Sequence, residues 1–182
     1  MFAHPFYFVR HGVTNHNQSQ LVMGQTDVPL NADGRRQARH AVLRLRECGI
    51  RSIFASPLSR ALETATILGD ALGLPVTEVL DLRERNWGIY EGRNRSERPH
   101  TADPEGGETL EIFTHRTLEA IRHLPGPFPY LLVAHNGTCR VLRRHFGLHT
   151  VEDMVPNGIP VCFSNLPPGS GWREYPLGIG PK

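Results

Sequence analysis

Four ionisable side chains follow short apolar runs in this sequence, at places where the strands of a sheet would end. Arg10 and His11 come directly after one apolar run. His135 follows a second run, and Arg60 comes shortly after a third. If these runs are neighbouring parallel strands, two guanidiniums and two imidazoles meet at one edge of a sheet. Arginine makes paired, charge-assisted hydrogen bonds to phosphate oxygens, so this set predicts a site that binds a phosphoryl group.

The residues beside these four indicate that the site could do chemistry as well as bind. Gly12 and Gly137 allow the backbone to approach an anion closely, and a helix that begins just after His135 would point its free N–H groups at that anion. A neutral imidazole can attack phosphorus, and a carboxylic acid can protonate the departing oxygen and then deprotonate a water. Glu84 is the candidate acid.

Alternating strands and helices would hold these residues in place. Asn31 is the expected N-cap of the first long helix and Gly49 its stop, while Ser56 and Pro57 are the expected N-cap and first position of the next helix. The predicted strands are 6–9, 50–55, 75–80 and 130–134, the predicted helices are 31–48, 56–72, 108–124 and 138–146, and residues 161–166 and 172–175 form a predicted edge hairpin.

This order of elements predicts the fold class. Strands that alternate with helices form a mostly parallel sheet covered on both faces, which is an α/β protein with a three-layer α/β/α sandwich. The length predicts a single domain over residues 1–182. Within it, residues 88–107 form a predicted loop or lid, because glycines, prolines and charges follow no period there.

The composition excludes several classes of protein. The net charge of +2 is too small for a nucleic-acid-binding face. Three cysteines without CxxC spacing indicate neither a disulfide framework nor a zinc knuckle, which favours a reducing, cytoplasmic location. The apolar residues near the N-terminus are too few for a signal peptide or a membrane-spanning helix. The sequence indicates no oligomeric state.

Four ordered blocks of residues surround the candidate site. They are Arg10-His11-Gly12-x-Thr14-x-x-Asn17, Gly24-x-x-Asp27-x-Pro29-Leu30, Ser56-Pro57-Leu58-x-Arg60-Ala61-x-x-Thr64-Ala65 and Leu82-Arg83-Glu84-x-x-Trp87-Gly88-x-Tyr90-Glu91-Gly92. These blocks, followed by His135, resemble the histidine phosphatase superfamily in its phosphoglycerate-mutase-like branch. The resemblance covers about residues 6–146 and implies a phosphoglycerate-mutase-like fold.

The resemblance assigns a role to each candidate residue. His11 is the expected nucleophile, which forms a phosphohistidine, and Glu84 is the expected general acid and base. Arginines and histidines supply the positive charge at the phosphoryl group, so neither a metal nor another cofactor is implied. The expected substrate-binding residues are Arg10, Asn17, Gly24, Arg60, His135 and Asn136, of which Arg10, Arg60 and His135 also belong to the expected catalytic set.

The expected activity is the metal-independent hydrolysis of a phosphomonoester. Only residues 93–107 separate the Glu84 block from the next predicted helix, a shorter span than the lid expected in relatives. A mutase must exclude water while its intermediate reorients, so a short lid favours a phosphatase. A phosphoglycerate-type mutase and a non-catalytic phospho-ligand-binding regulator are the alternatives. The expected substrate is a small phosphorylated molecule, with a phosphoprotein as the alternative, and neither nucleic acid nor a membrane is an expected partner.

Three further interpretations concern other side chains. His11 and His135 with Asp27 or Glu84 could bind zinc, although no HExxH motif is present. Asn136 stands where many relatives have glycine, which could change the backbone contact to phosphate. A basic cluster on the last helix is predicted to be a solvated face; it consists of Arg140, Arg143, Arg144 and His145. Arginines in or near the lid could attract an anionic substrate; they are Arg83, Arg85, Arg93, Arg95 and Arg98.

Overall fold

A six-stranded mixed sheet forms the centre of the protein. The computed structural model describes residues 4–98, 103–148, 154–167, 169 and 171–178. The strands are β1 (Phe6–Arg10), β2 (Ser52–Ala55), β3 (Val76–Glu78), β4 (Tyr130–Ala134), β5 (Pro160–Ser164) and β6 (Arg173–Pro176). Their order in the sheet is β3-β2-β4-β1-β5-β6. The first four are parallel, and β5 and β6 form an antiparallel edge hairpin. The predicted α/β class with a mostly parallel sheet is therefore confirmed.

In the described residues five α-helices accompany the sheet, and three of them begin elsewhere than predicted. The helices are α1 (Asn15–Gln18), α2 (Ala32–Leu45), α3 (Ser59–Leu72), α4 (Leu110–Arg122) and α5 (Asn136–His145). Asn31 caps α2 as predicted, because its side chain accepts a hydrogen bond from Gly34 N at 2.9 Å. The N-cap of α3 is Leu58, so the prediction that Ser56 caps this helix was wrong. Helix α5 begins two residues before its predicted start, with His135 at the N-cap. Among the described residues, every helix is too short or too polar to cross a lipid bilayer.

Strand β4 is buried along its whole length because helices cover both faces of the sheet. Leu132 belongs to the core on the face of α4 and α5, and Leu131 and Val133 belong to the core on the face of α2 and α3. Burial of a side chain of this size contributes about 1.5–3 kcal/mol. A rigid central strand therefore leads directly to His135.

Backbone hydrogen bonds bring the ends of β1, β2 and β4 to the same edge of the sheet. His11 N donates to Ala134 O at 3.0 Å, and Ser56 N donates to Val133 O at 3.0 Å. Strands β1 and β2 lie on either side of β4. The residues that follow these three strands are therefore neighbours in space, as the position of the apolar runs predicted.

The turn after β1 packs directly on the first turn of α2. A Cβ atom at Gly34 would lie 2.2 Å from Val13 O, and one at Gly12 would lie 2.4 Å from Gly34 O. Val13 N also donates to the side chain of Gln37 in α2 at 2.8 Å. These contacts fix the peptide next to His11, and they leave no room for a side chain at either glycine.

The close contact predicts that Gly34→Ala destabilises the protein. An alanine in a helix normally adds up to about 1 kcal/mol of stability relative to glycine. Here the new methyl group collides with a backbone carbonyl, and overpacking of this kind costs about 1–3 kcal/mol. Urea unfolding should show a lower midpoint for Gly34→Ala than for the wild type. Gly178→Ala is the control, since nothing lies within 4 Å of a Cβ at that position. An unchanged or higher midpoint for Gly34→Ala would contradict the packing argument.

Candidate active site

His11 lies at the end of β1 with its ring in one defined tautomer. Its Nδ1 lies 2.7 Å from Gly12 O, and His11 is only 2% exposed. A carbonyl oxygen can only accept, so Nδ1 carries the proton and Nε2 keeps its lone pair. The backbone around the ring is fixed as well: Asn157 Nδ2 donates to His11 O at 2.8 Å, and Gly12 N donates to Thr64 Oγ1 at 3.0 Å.

Two buried guanidiniums stand beside this ring, and backbone carbonyls position them. Arg10 Nη1 donates to Val155 O at 2.8 Å. Arg60 Nη2 donates to Gly24 O at 2.7 Å, and its Nη1 donates to Thr26 O at 3.0 Å. The Nε atoms of Arg10 and Arg60 are buried and have no hydrogen-bond partner among the described residues. Each guanidinium therefore retains a donor for an anion.

His135 is the second buried imidazole, and its ring centroid lies 5.3 Å from that of His11. Its Nε2 lies 2.8 Å from Ser56 Oγ, which itself accepts from Leu58 N at 3.3 Å. His135 Nδ1 is buried without a hydrogen-bond partner in the described part of the chain.

The Glu84 carboxylate reaches the same site from the segment between β3 and α4. Its Oε2 accepts from Gly137 N at 3.0 Å, and its Oε1 accepts from Arg85 N at 2.9 Å. A Cβ atom at residue 137 would lie 2.0 Å from Glu84 Oε1. Glycine at position 137 is thus required for the carboxylate to approach the first turn of α5.

Asn136 supports the site through its side chain. Its Oδ1 accepts from Val155 N at 3.1 Å, and the carbonyl of Val155 in turn accepts from Arg10. Asn136 therefore helps to position the Val155 carbonyl, which accepts a hydrogen bond from Arg10, a candidate phosphate-binding residue. Its predicted effect on the backbone contact to phosphate stays a prediction.

Burial determines the protonation states of the site. Loss of solvation lowers the pKa of His11 well below its ordinary value near 6.5, and the charges of Arg60 and Arg10 lower it further. Burial likewise lowers the pKa of His135, again with the help of Arg60. Burial and the nearby charge of Arg95 lower the pKa of Arg10 to about 10. At neutral pH both imidazoles are therefore neutral, and Arg10 remains charged.

A cavity of about 590 Å³ adjoins these groups. His135 does not line it. Asn17 does not line it either. Its Oδ1 accepts from Thr14 N at 3.1 Å, in the capping box of α1. The Asn17 Nδ2 atom is buried and has no hydrogen-bond partner among the described residues. The predicted site residues that line the cavity are Arg10, His11, Gly24, Arg60, Glu84 and Asn136.

Asp27, a candidate ligand in the zinc-binding alternative, has a structural role at the start of α3. The Asp27 carboxylate accepts a hydrogen bond from Ser59 N, 2.7 Å away at the start of α3. In the part of the chain that the structure describes, no group of three or more His, Cys, Asp or Glu side chains could hold a metal ion.

Several supporting residues were not assigned a role from the sequence. Ser56 and Thr64 lie inside the quoted arginine block, so the motif could have indicated their importance. Asn157 and Val155 belong to no motif, and they contact the site from the segment before β5. The chain supplies no local signal for a contact of this kind.

One of the four basic residues of α5 departs from the predicted solvated face. Arg143 is buried, and its Nε lies 2.6 Å from Glu174 Oε2. Arg144 and His145 are exposed and Arg140 is partly buried, so the prediction of a solvated face was wrong for Arg143; Arg140 and Arg144 also line the cavity. Arg85, Arg95 and Arg98 line the cavity too, whereas Arg83 and Arg93 do not.

Comparisons with known proteins agree with this geometry. The Histidine phosphatase superfamily (branch 1) matches residues 6–162 of the chain. The uncharacterized phosphatase PhoE of Bacillus subtilis (strain 168) is 35% identical over 165 residues, which are 87% of this chain and 85% of the relative. The probable phosphoglycerate mutase GpmB of Escherichia coli O1:K1 is 36% identical over 146 residues, which are 71% of this chain and 68% of that protein.

The fold is similar to that of solved structures. Mycobacterial glucosyl-3-phosphoglycerate phosphatase, in a complex with VO3, aligns with a TM-score of 0.79 and 27% identity, over 96% of this chain and 98% of that one. This similarity confirms the predicted phosphoglycerate-mutase-like fold. The phosphatases among the relatives support an enzyme that acts on phosphate esters. The motifs, the match over most of the chain and the two relatives agree, and the chain belongs to the histidine phosphatase superfamily, branch 1.

Proposed function

We propose that this protein hydrolyses a phosphomonoester through a phosphohistidine formed on His11. The observation that carries the proposal is the hydrogen bond from His11 Nδ1 to Gly12 O, which leaves the Nε2 lone pair available beside two buried guanidiniums. A nucleophile that is already in its reactive tautomer needs no prior proton transfer. Arg10 and Arg60 line the cavity, and their Nε atoms have no partner among the described residues, so these guanidiniums can bind the phosphoryl oxygens.

The first step transfers the phosphoryl group to the enzyme. His11 Nε2 attacks phosphorus, so that an N–P bond forms while the bond from phosphorus to the ester oxygen breaks. Glu84, in its protonated form, gives its proton to the departing alkoxide, which leaves as an alcohol. The charge that develops on the phosphoryl oxygens is stabilised by Arg10 and Arg60.

The second step transfers the phosphoryl group to water. The Glu84 carboxylate takes a proton from a water molecule, whose oxygen attacks phosphorus. The N–P bond breaks, and its electrons return to His11 Nε2. Inorganic phosphate leaves, and the protonated Glu84 is ready for the next turnover.

Hydrolysis accounts for the structure better than a mutase reaction. In residues 88–98 and 103–107, the regular structure consists of two short 3₁₀ turns, Gly88–Tyr90 and Arg95–Glu97. Backbone hydrogen bonds attach this segment to the protein: Gly92 N donates to Val22 O, and Arg95 N donates to Gln20 O. A mutase needs a cover that closes over its intermediate, and these residues are committed elsewhere. The similarity to a probable phosphoglycerate mutase makes transfer to a second hydroxyl the other candidate reaction.

A cytoplasmic location is part of the proposal. All three cysteines, Cys48, Cys139 and Cys162, are free thiols, which suits a reducing compartment.

The neutral imidazoles predict that the protein loses stability as the pH falls. In the unfolded chain both histidines take up a proton near pH 6.5, whereas in the folded state their lowered pKa values keep them neutral. The unfolded state binds more protons below pH 6.5, so the free energy of unfolding decreases there by about 1.4 kcal/mol per pH unit for each histidine. The stabilisation is complete above pH 6.5 and is lost as the pH falls toward the folded-state pKa values. Urea unfolding should show a loss of roughly 3 kcal/mol between pH 7.5 and 5.5.

His11→Ala should remove about half of that loss, since one of the two titrating imidazoles is gone. His40→Ala, a change at an exposed position on α2, should keep all of it. An equal pH dependence in His11→Ala and the wild type would contradict the assignment of His11 as a buried neutral imidazole.

His11→Ala should also abolish turnover. The covalent route needs the imidazole, so we expect release of inorganic phosphate from p-nitrophenyl phosphate to fall more than about a thousandfold. Rapid quenching with a labelled substrate should trap a phosphorylated wild-type enzyme that is stable in alkali, labile in acid, and absent from His11→Ala. His40→Ala should behave like the wild type. Substantial turnover by His11→Ala would overturn the covalent mechanism, and label that appears on a second alcohol instead of in inorganic phosphate would favour the mutase.

Glu84→Gln should slow poor leaving groups far more than good ones. An alkoxide needs a proton to depart, so kcat for an alkyl phosphate should fall about 10²–10⁴-fold. A p-nitrophenolate leaves without one, and its release should fall much less. Glu111→Gln is the control, because this exposed residue of α4 does not line the cavity. Equal losses on both substrates would exclude Glu84 as the acid of the first step.

A further inference from the structure

The main chain that leads to Glu84 is bonded to one guanidinium outside the cavity. Arg116, in α4, donates from Nη1 to Asp81 O at 2.7 Å and to Arg83 O at 2.9 Å. Its Nη2 donates to Glu84 O at 3.0 Å. Three carbonyl oxygens within four consecutive residues therefore share one side chain. Arg116 does not line the cavity, so it acts on the candidate acid only through the main chain that carries it.

Glu108 holds this guanidinium in one orientation. Arg116 Nε donates to Glu108 Oε1 at 2.6 Å and its Nη2 donates to Glu108 Oε2 at 2.8 Å, so the pair is bidentate. These two bonds and the three to carbonyls equal the five N–H donors of a guanidinium. The two side chains are only 13% and 17% exposed, so water competes little for those donors. Burial alone would raise the pKa of Glu108, but hydrogen bonds from Arg116 and from Asn86 N outweigh it and hold this pKa below its ordinary value.

Glu108 also holds the chain that follows the candidate acid. Its Oε2 accepts from Asn86 N at 2.8 Å, and its own N donates to Asn86 O at 2.9 Å. The carbonyl of Glu108 accepts from Arg85 Nε at 2.9 Å. The backbone on both sides of Glu84 is thus bonded to one mostly buried ion pair, which fixes the Cα from which the Glu84 side chain extends.

We infer that Arg116 is a positioning residue for Glu84: together with Glu108 it fixes the main chain of residues 81–86, so that the Glu84 carboxylate lies within reach of the leaving oxygen. This inference rests on the proposed function for the role of Glu84 as the acid. A proton is transferred only across a hydrogen-bonded distance, and a displacement of about 1 Å costs up to about a hundredfold in rate. The planar fork of arginine binds one carboxylate and several carbonyls at once, which the compact ammonium of lysine with its three donors does not.

Arg116→Lys tests the inference because it keeps the charge and removes the fork. We expect kcat/KM for an alkyl phosphate to fall about ten- to a hundredfold, and that for p-nitrophenyl phosphate, whose leaving group needs no proton, by less than about threefold. Arg122→Lys is the matched control: this exposed arginine of the same helix pairs with Glu119 at the surface, and its replacement should leave both values unchanged. If Glu84→Gln is selective for the alkyl phosphate and Arg116→Lys slows both substrates equally, the inference is overturned.

Glu108→Gln is a second variant, so the test does not depend on the folding of Arg116→Lys. The amide keeps one oxygen for Arg116 but cannot accept from two of its N–H groups, so we expect the same selective loss, smaller in size. In a Glu84→Gln background neither change should alter the ratio of the two substrates further, since the acid that they position is gone. An additional selective loss in the double variants would contradict the inference.

A measurement by NMR separates this inference from the proposed reaction. Gly137 N donates to Glu84 Oε2 at 3.0 Å, so the chemical shift of the Gly137 amide proton reports where the carboxylate lies, whatever the enzyme catalyses. We expect this signal to move in Arg116→Lys toward its position in Glu84→Ala and to stay unchanged in Arg122→Lys. If it moves but Glu84→Gln is not selective for alkyl phosphates, the proposed role of Glu84 fails and the positioning stands. An unchanged Gly137 signal in Arg116→Lys overturns the positioning, whatever the kinetics show.

Discussion

Burial of positive charge is the constraint on which the site depends. Arg10 is 4% exposed and Arg60 is fully buried, and both lie next to two buried imidazoles. Removing a guanidinium from water is costly unless polar groups replace the solvent. Here the replacement is the backbone: carbonyls of residues 24 and 26 accept from one guanidinium, and a carbonyl of residue 155 accepts from the other. These partners are dipoles without net charge. They stabilise the buried guanidiniums in place of water but do not neutralise them, so the positive charge remains available to a phosphoryl group.

Residues 24–26, whose carbonyls accept from Arg60, are held in turn by the carboxylate of Glu91. Glu91 accepts hydrogen bonds from the backbone N–H groups of Gln25 at 2.8 Å and Thr26 at 2.7 Å, and from Trp87 N at 3.0 Å. The segment that contains the candidate acid therefore fixes the loop whose carbonyls accept from Arg60, a candidate phosphate-binding residue. Parts of the chain that are distant in sequence thus form one hydrogen-bonded unit.

Patterns within a few residues predicted the parallel strands, the long helices and the residues at the strand ends, because apolar periodicity and capping are local properties. What they missed depends on contacts between distant residues. Ser56 does not cap α3, because its hydroxyl bonds to His135, 79 positions away. Asn157 fixes the backbone of His11 across 146 positions. Arg143 is buried because Glu174 on the edge strand reaches it, and no local pattern indicates such a partner.

The tautomer of His11 has a consequence for how such an enzyme can diversify. The proton on Nδ1 is held by a main-chain oxygen, and every amino acid at position 12 would present one, although only glycine fits against α2. No side-chain replacement elsewhere in the cavity removes that oxygen. The cavity walls can therefore accumulate mutations and acquire new substrate preferences while His11, the proposed nucleophile, keeps its tautomer. In this architecture the main chain determines the tautomer of His11, whereas the side chains of the cavity wall determine which substrates fit.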